Sequence, residues 1–243
     1  MLDTVRSELA PTGTLRAGIN LGNGLLVTGR DGDGQPTGVA PDMARAIAEK
    51  LSVPLLYVGY GSPDDLAKAS LDDAWDVALI GAEPQRAETI DFTDAYSEIE
   101  AAYLVPAGSS IGSMEDVDKQ GVRIAVFGRG AYGLWLERNI ANAELVSADS
   151  GPAATEMFTT QKLDVLAGLR SALLKDAERM PGARVLDGRF MTVQQAVGVR
   201  RGKDASAAFL REFVEEAKSS GLVARLIDRH GVRGRLSVAR PQA

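Results

Sequence analysis

Short apolar runs alternate with amphipathic stretches over almost the whole chain, and no other feature limits the fold as much. TLRAGI (14–19), PLLYVGY, WDVALIG, VRIAVF (122–127), AELVSA, LDVLAG and TVQQAVGV (192–199) read as strands. Between them lie segments of helical period. PDMARAIAEKL sets Met43, Ile47 and Leu51 on one face, and DASAAFLREFVEEAKSSG does the same with Phe209, Phe213 and Ala217. SPDDLAKASL opens with a capping serine, a proline for the first turn and two acids near the positive helix end. GAYGLWLERNI, SGPAATEMFTTQK, RSALLKDAERM and LVARLIDRHG complete the helices. Such alternation predicts an α/β protein with parallel strands and helices on both sheet faces.

The 243 residues suffice for one large α/β domain or two smaller lobes. The pattern restarts after EAAYLVP (100–106), and DDAWDVALIG is echoed by TTQKLDVLAG: helix end, aspartate, short apolar strand, glycine. Two lobes on one plan would produce that echo. GRDGDGQPTG (29–38) is dense in Gly, Asp and Pro and reads as turn and loop, and RGRLSVARPQA as a basic tail, solvated or packed on the first lobe. The net charge of −6 is spread without basic blocks, which argues against nucleic acid and anionic membranes as partners. With no cysteine and one histidine, a metal site lacks its usual ligands, and no cofactor is expected. No apolar run approaches the roughly 18 residues of a membrane span. The first residues carry Asp3, Arg6 and Glu8 and no apolar signal core.

WDVALIGAEPQRAETIDFTDAY holds an arginine where a buried strand opens into a loop. Pro84 suggests that Arg86 stands in a helical first turn, where its guanidinium offers a two-pronged fork to a carboxylate close to backbone N–H groups. The plainer alternative is a surface pair with Glu83 or Glu88. In DFTDAY, Asp91 and Asp94 read as turn and cap residues, Phe92 as a core anchor and Tyr96 as a packed aromatic.

Together GTLRAGIN, GVAPDMARAIAEKL, WDVALIG…PQRAETIDFTDAY…YLVP and VRIAVFGRGAYG resemble the bacterial family 3 solute-binding proteins, from about Thr14 to about Asp228. The resemblance implies a type II periplasmic binding protein: two Rossmann-like lobes with mixed sheets, joined by two hinge strands and closing on ligand. Lobe 1 would be residues 1–106 and 193–243, and lobe 2 residues 107–192. It further implies a monomeric, non-catalytic receptor with an ABC importer permease as partner, in the periplasm; a cytoplasmic protein is the alternative. Arg86 inherits the arginine that binds the ligand's carboxylate, with backbone groups of Gly81 and Ala82 beside it. Asn20 and Asn23 stand where the family has an aspartate and a stacking aromatic. Gly130, Ala131 and Tyr132 replace its Gly-Ser/Thr-Thr helix start, so the hydroxyls are gone and the N–H groups remain; Arg129 adjoins them, facing ligand or solvent. Gln194 lies where the chain crosses back between lobes, and either it or Gln195 faces the cleft.

The largest departure follows the LDV strand. Where amino-acid binders carry an aspartate for the ligand's ammonium group, this chain has Gly168, Leu169 and Arg170. The expected ligand is therefore a small anion, a dicarboxylate or deaminated acid rather than an ordinary α-amino acid. There are two enzymatic rivals. GRGAYG is a literal G-x-G-x-x-G through Gly128, Gly130 and Gly133, with Asp149 about 20 residues on, the fingerprint of an NAD-binding oxidoreductase. A cyclohexadienyl-dehydratase-like enzyme is the other, although its chemistry needs a cleft acid and none falls on the matched positions. His230 is expected to be a surface residue without an acid–base partner, and Trp75 and Trp135 to be core or half-buried.

Overall fold

The computed structural model describes residues 2–240. The chain divides into two compact units: one takes the chain up to Glu98 and again from Gln194, and the other is Ile99–Val193. Both changeovers fall inside strands, β7 (Ser97–Val105) and β12 (Met191–Arg200). Pro106, where the sequence pattern restarts, closes β7. The compact units change earlier because Ala101 to Val105 pair within the second unit.

In the first unit β1 (Leu15–Asn20) lies parallel between β4 (Leu55–Tyr60) and β5 (Val77–Gly81). β12 runs antiparallel to β5 with Gln195 opposite Gly81, and β6 (Ile90–Phe92) pairs with β12 further along. Two of the helices here are α2 (Val39–Leu51), which buries Met43, Ala44, Ile47, Ala48 and Leu51 as its period predicts, and α3 (Pro63–Lys68). In α3 the Asp65 N–H donates to the Ser62 hydroxyl at 3.1 Å, the cap legible in SPDD. Trp75 is fully buried among Leu66, Ala78, Ile80 and Ile90, its indole N–H donating to the Leu66 carbonyl at 3.0 Å. α7 (Asp204–Ser219) and α8 (Leu222–Arg229) complete the unit's long helices.

Three local features depart from the sequence reading, and the tail takes the packed one of its two alternatives. The first residues form a helix, α1 (Leu2–Leu9), held by the Arg6 Nε–H to the Leu51 carbonyl (2.8 Å) and by Glu8 accepting from the Ser206 N–H (2.9 Å). The Gly/Asp/Pro-rich segment contains a small hairpin of β2 (Gly29–Arg30) and β3 (Pro36–Thr37). The tail adds β13 (Ser237–Val238) beside Ser97 and Glu98, with Leu236 and Ala239 buried; residues 241–243 lie outside the described residues. His230 is mostly buried and its Nε2 meets Asp42 Oδ2 at 2.8 Å, tying the end of α8 to α2, so the expectation of a partnerless surface histidine is corrected. Tertiary packing supplies the partners of α1, β13 and His230, whereas the hairpin is local, its turn held by Asp31 Oδ1 accepting from the Asp33 and Gln35 N–H groups.

The second unit repeats the plan. β8 (Arg123–Phe127) lies parallel between β9 (Glu144–Ala148) and β10 (Val165–Leu169), and β7 runs antiparallel to β10. α4 (Ala131–Asn139), α5 (Gly151–Thr160) and α6 (Arg170–Arg179) connect the strands, and β11 (Arg184–Val185) pairs with β7. Phe158, Leu163, Leu166 and Leu173 build its core with Ala102 and Leu104.

The sequence echo has a structural counterpart. In the first unit the Arg16 N–H donates to Asp76 Oδ2 (2.8 Å) and the Asp76 N–H donates back to the Arg16 carbonyl (2.8 Å). In the second, Arg123 and Asp164 make the same reciprocal pair at 2.8 and 3.1 Å. Each aspartate thus satisfies a donor at the start of the neighbouring parallel strand and sets its register.

Candidate functional site

In the first unit the predicted residues gather at the carboxyl ends of β1 and β5, where ligands of open α/β sheets bind. The Asn20 side-chain oxygen accepts from the Gly22 N–H and that of Asn23 from the Leu25 N–H, both at 3.1 Å. These turns use the amide oxygens and leave the amide N–H groups as the part suited to a ligand acceptor. Ala82 donates its N–H to the Gln194 carbonyl at 2.8 Å, so that backbone donor serves the β5–β12 ladder. Of the two glutamines, Gln195 is buried and Gln194 half-buried.

Arg86 opens a 3-10 turn, Arg86–Glu88, after the short loop that follows β5, and it is 6% exposed. Its Nη1–H donates to the Gly81 carbonyl at 2.8 Å, folding the guanidinium back against the strand end. Burial pushes its pKa down to about 10, opposed by the nearby charges of Glu83 and then Asp64. That is still well above neutrality, so the group is a buried cation at pH 7. Glu83, in the loop between β5 and Arg86, is itself buried. The sequence alternative of an Arg86–Glu83 pair on the surface therefore fails in its location: both residues are inside.

The second unit presents the start of α4 and the start of α6. Gly130 precedes α4 with no side-chain cap, and its own N–H donates to the Phe127 carbonyl at 3.2 Å. Ala131 and Tyr132 are buried, and burial raises the Tyr132 hydroxyl above the ordinary tyrosine range. Arg129 is exposed. The G-x-G-x-x-G pattern meets a packing demand: a Cβ at Gly133 would lie 2.2 Å from the Phe127 carbonyl and 2.8 Å from that of Gly128. Gly133→Ala is expected to destabilise the protein by about 3 kcal/mol, read from the urea midpoint.

Leu169 ends β10, and Arg170 is engaged by the protein itself. Its Nε–H meets Glu100 Oε2 at 3.1 Å and its Nη2–H donates to the Leu186 carbonyl at 3.1 Å. Arg189 reaches the other Glu100 oxygen at 2.8 Å. Nearby on the chain, Phe190 stacks on Tyr103 (centroids 4.4 Å apart) and tilts against Trp135 (5.5 Å). Glu100, Arg189 and this aromatic group were missed from sequence. The only signal was a glutamate directly before the apolar run of β7, Ala101 to Val105; its neighbours come from strand register and from a loop far along the chain.

Two α/β units with one strand plan, threaded by two long strands, define a type II periplasmic binding protein fold. It is shared with an amino acid ABC transporter substrate-binding protein of Streptococcus pneumoniae bound to L-arginine (TM-score 0.72, 18% identity, 91% of this chain and 96% of that one). It is shared also with an ancestral amino acid-binding protein described as a precursor of cyclohexadienyl dehydratase (TM-score 0.73, 21% identity, 94% and 97%). The profile of the bacterial extracellular solute-binding proteins, family 3, matches residues 27–233, and the chain belongs to that family. A probable histidine-binding protein of Neisseria gonorrhoeae is 25% identical over 141 residues, 56% of this chain and 52% of that protein. The chain thus matches about half the length of this curated relative. No helix among the described residues is long and apolar enough to cross a membrane.

Proposed function

We propose that this protein is the substrate-binding protein of an ABC importer in the periplasm, and that it captures a small solute through that solute's carboxylate. The observation that carries this reading is Arg86, a buried cation at a strand end. A buried guanidinium is matched best by an anion offering two oxygens, and a carboxylate does so in plane. Asn20 and Asn23 add amide donors from the end of β1. Leu169 brings no negative charge to a ligand ammonium and the neighbouring Glu100 is engaged by Arg170 and Arg189, which favours a non-standard organic acid over an ordinary α-amino acid. Two of the three named relatives are described by arginine and histidine, so amino acids stand beside organic acids as the ligands to test. Isothermal titration with amino acids and with their deaminated 2-oxo and 2-hydroxy counterparts is the direct experiment. Binding of a carboxylic acid supports the reading. Tight binding of an ordinary amino acid with no response to acids ends the preference for acids, and binding of an amine lacking any carboxylate ends the role of Arg86.

The fold neighbour described as a dehydratase precursor makes catalysis the second reading. It would require an acid able to give a proton to a leaving group. Glu100 is the acid beside the end of β10, and both its oxygens are already engaged by the protein, Oε2 by Arg170 and Oε1 by Arg189. No turnover of prephenate or arogenate is expected in a spectrophotometric assay, and measurable turnover would reverse this.

A further inference from the structure

Glu100, Arg170 and Arg189 come from three separate places in the second unit: β7, the first residue of α6, and the loop before β12. Register places Ala101 of β7 opposite Leu169 at the end of β10, so Glu100 lies at the carboxyl end of that strand. An arginine at the first position of a helix is unfavourable, because the helix start already carries partial positive charge. A second guanidinium from Arg189 adds to it. Two guanidinium forks and a helix start together are the components of an oxyanion site. In this structure the oxyanion is the protein's own: Glu100 Oε2 takes Arg170 and Oε1 takes Arg189. The Arg170 fork is set in place from the other side by the Leu186 carbonyl.

We propose that Glu100 is a built-in anion occupying a two-arginine fork, and that it makes the second unit select against ligands that bring it a further negative group. An incoming carboxylate or phosphate would find the Arg170 Nε–H and the Arg189 Nη1–H already given to Glu100, whose carboxylate, 43% exposed, stands in the place it would take. Neutral and cationic parts of a ligand meet no such obstacle. The inference rests on the reading of this chain as a solute receptor and narrows the ligand class within it: a monocarboxylic solute, not a dicarboxylate. Arg170, which from sequence suggested a second anion-binding charge, is the residue Glu100 neutralises.

The test uses the full chain and inorganic sulfate, which probes the fork without knowledge of the ligand. Thermal denaturation is followed against sodium sulfate, with sodium chloride at matched ionic strength as the reference, for wild type, E100Q, R170Q and E100Q/R170Q. Removing the carboxylate should open the fork. E100Q should show a saturable, sulfate-specific rise in Tm with apparent affinity about tenfold or more above wild type, and E100Q/R170Q should lose it. An E100Q response equal to wild type, or one that persists in the double variant, overturns the proposal. If E100Q does not fold, wild type against R170Q decides. The proposal requires the same sulfate response from both, and a sulfate-specific rise in wild type that R170Q lacks shows the fork open and overturns it. On the ligand side, wild type should bind glutamine-like solutes in preference to the matching glutamate-like ones, with the gap narrowed in E100Q. Absence of any solute binding would count against the receptor reading alone, since the sulfate outcome does not depend on it.

Discussion

Arg86→Gln should abolish most solute binding, weakening Kd by about a hundredfold or more while the variant remains folded. The size follows from burial. Arg86 is 6% exposed and its guanidinium is set by its bond to the Gly81 carbonyl, so a carboxylate docking there meets a charge that is already desolvated and oriented. Such interactions are far stronger than exposed pairs, worth about 0.2–1 kcal/mol. Glutamine keeps a donor and loses the charge, and thereby tests the charge itself. Arg86→Lys keeps a charge and loses the fork, and should fall between wild type and glutamine. The readout is isothermal titration with whichever carboxylate binds wild type, beside circular dichroism to count folded protein. Unchanged affinity in Arg86→Gln would remove Arg86 from the site. Stability should also fall, since Glu83 is buried nearby and loses a compensating charge.

Asp76→Ala should cost about 3–5 kcal/mol, whereas the equivalent Asp164→Ala should cost about 1 kcal/mol or less. The two aspartates make the same reciprocal backbone pair, so the geometry is matched and burial differs. Asp76 is fully buried and also takes the Arg16 guanidinium through Nε (3.1 Å) and Nη2 (2.7 Å), which raises the Arg16 pKa above its ordinary value. Asp164 has a side chain 41% exposed, and the Arg123 guanidinium comes no nearer than 3.6 Å. Truncating Asp76 leaves a strand-start N–H and an arginine without their buried anion, while water can replace what Asp164 loses. Urea denaturation of the two variants measures the difference. Equal losses would show that the register bond, and not burial, sets the energy.

The contrast shows what a local pattern carries. WDVALIG and LDVLAG predicted an aspartate before each strand, and the structure confirms both positions. Nothing in either stretch says which aspartate is dry. Strands and helices were legible for the same reason: periods of 2 and 3.6 in apolar residues are local and repeat many times. α1 and β13 were not, because each is stabilised by distant partners: α1 through Leu51 and Ser206, β13 through Ser97 and Glu98.

The sequence by itself determined the α/β class, the repeat of one plan in two parts, the family, and the arginine past β5 as the group to watch. These depend on residue type and short spacing. Tertiary structure alone decided that Arg86 is buried beside Glu83, that His230 meets Asp42, and that Glu100 stands between Arg170 and Arg189. Charges act over distance in space, and the chain brings together residues that the sequence holds far apart. Their sign can be read from the letters; their partners and their exposure to water, which set whether they bind a ligand or one another, cannot.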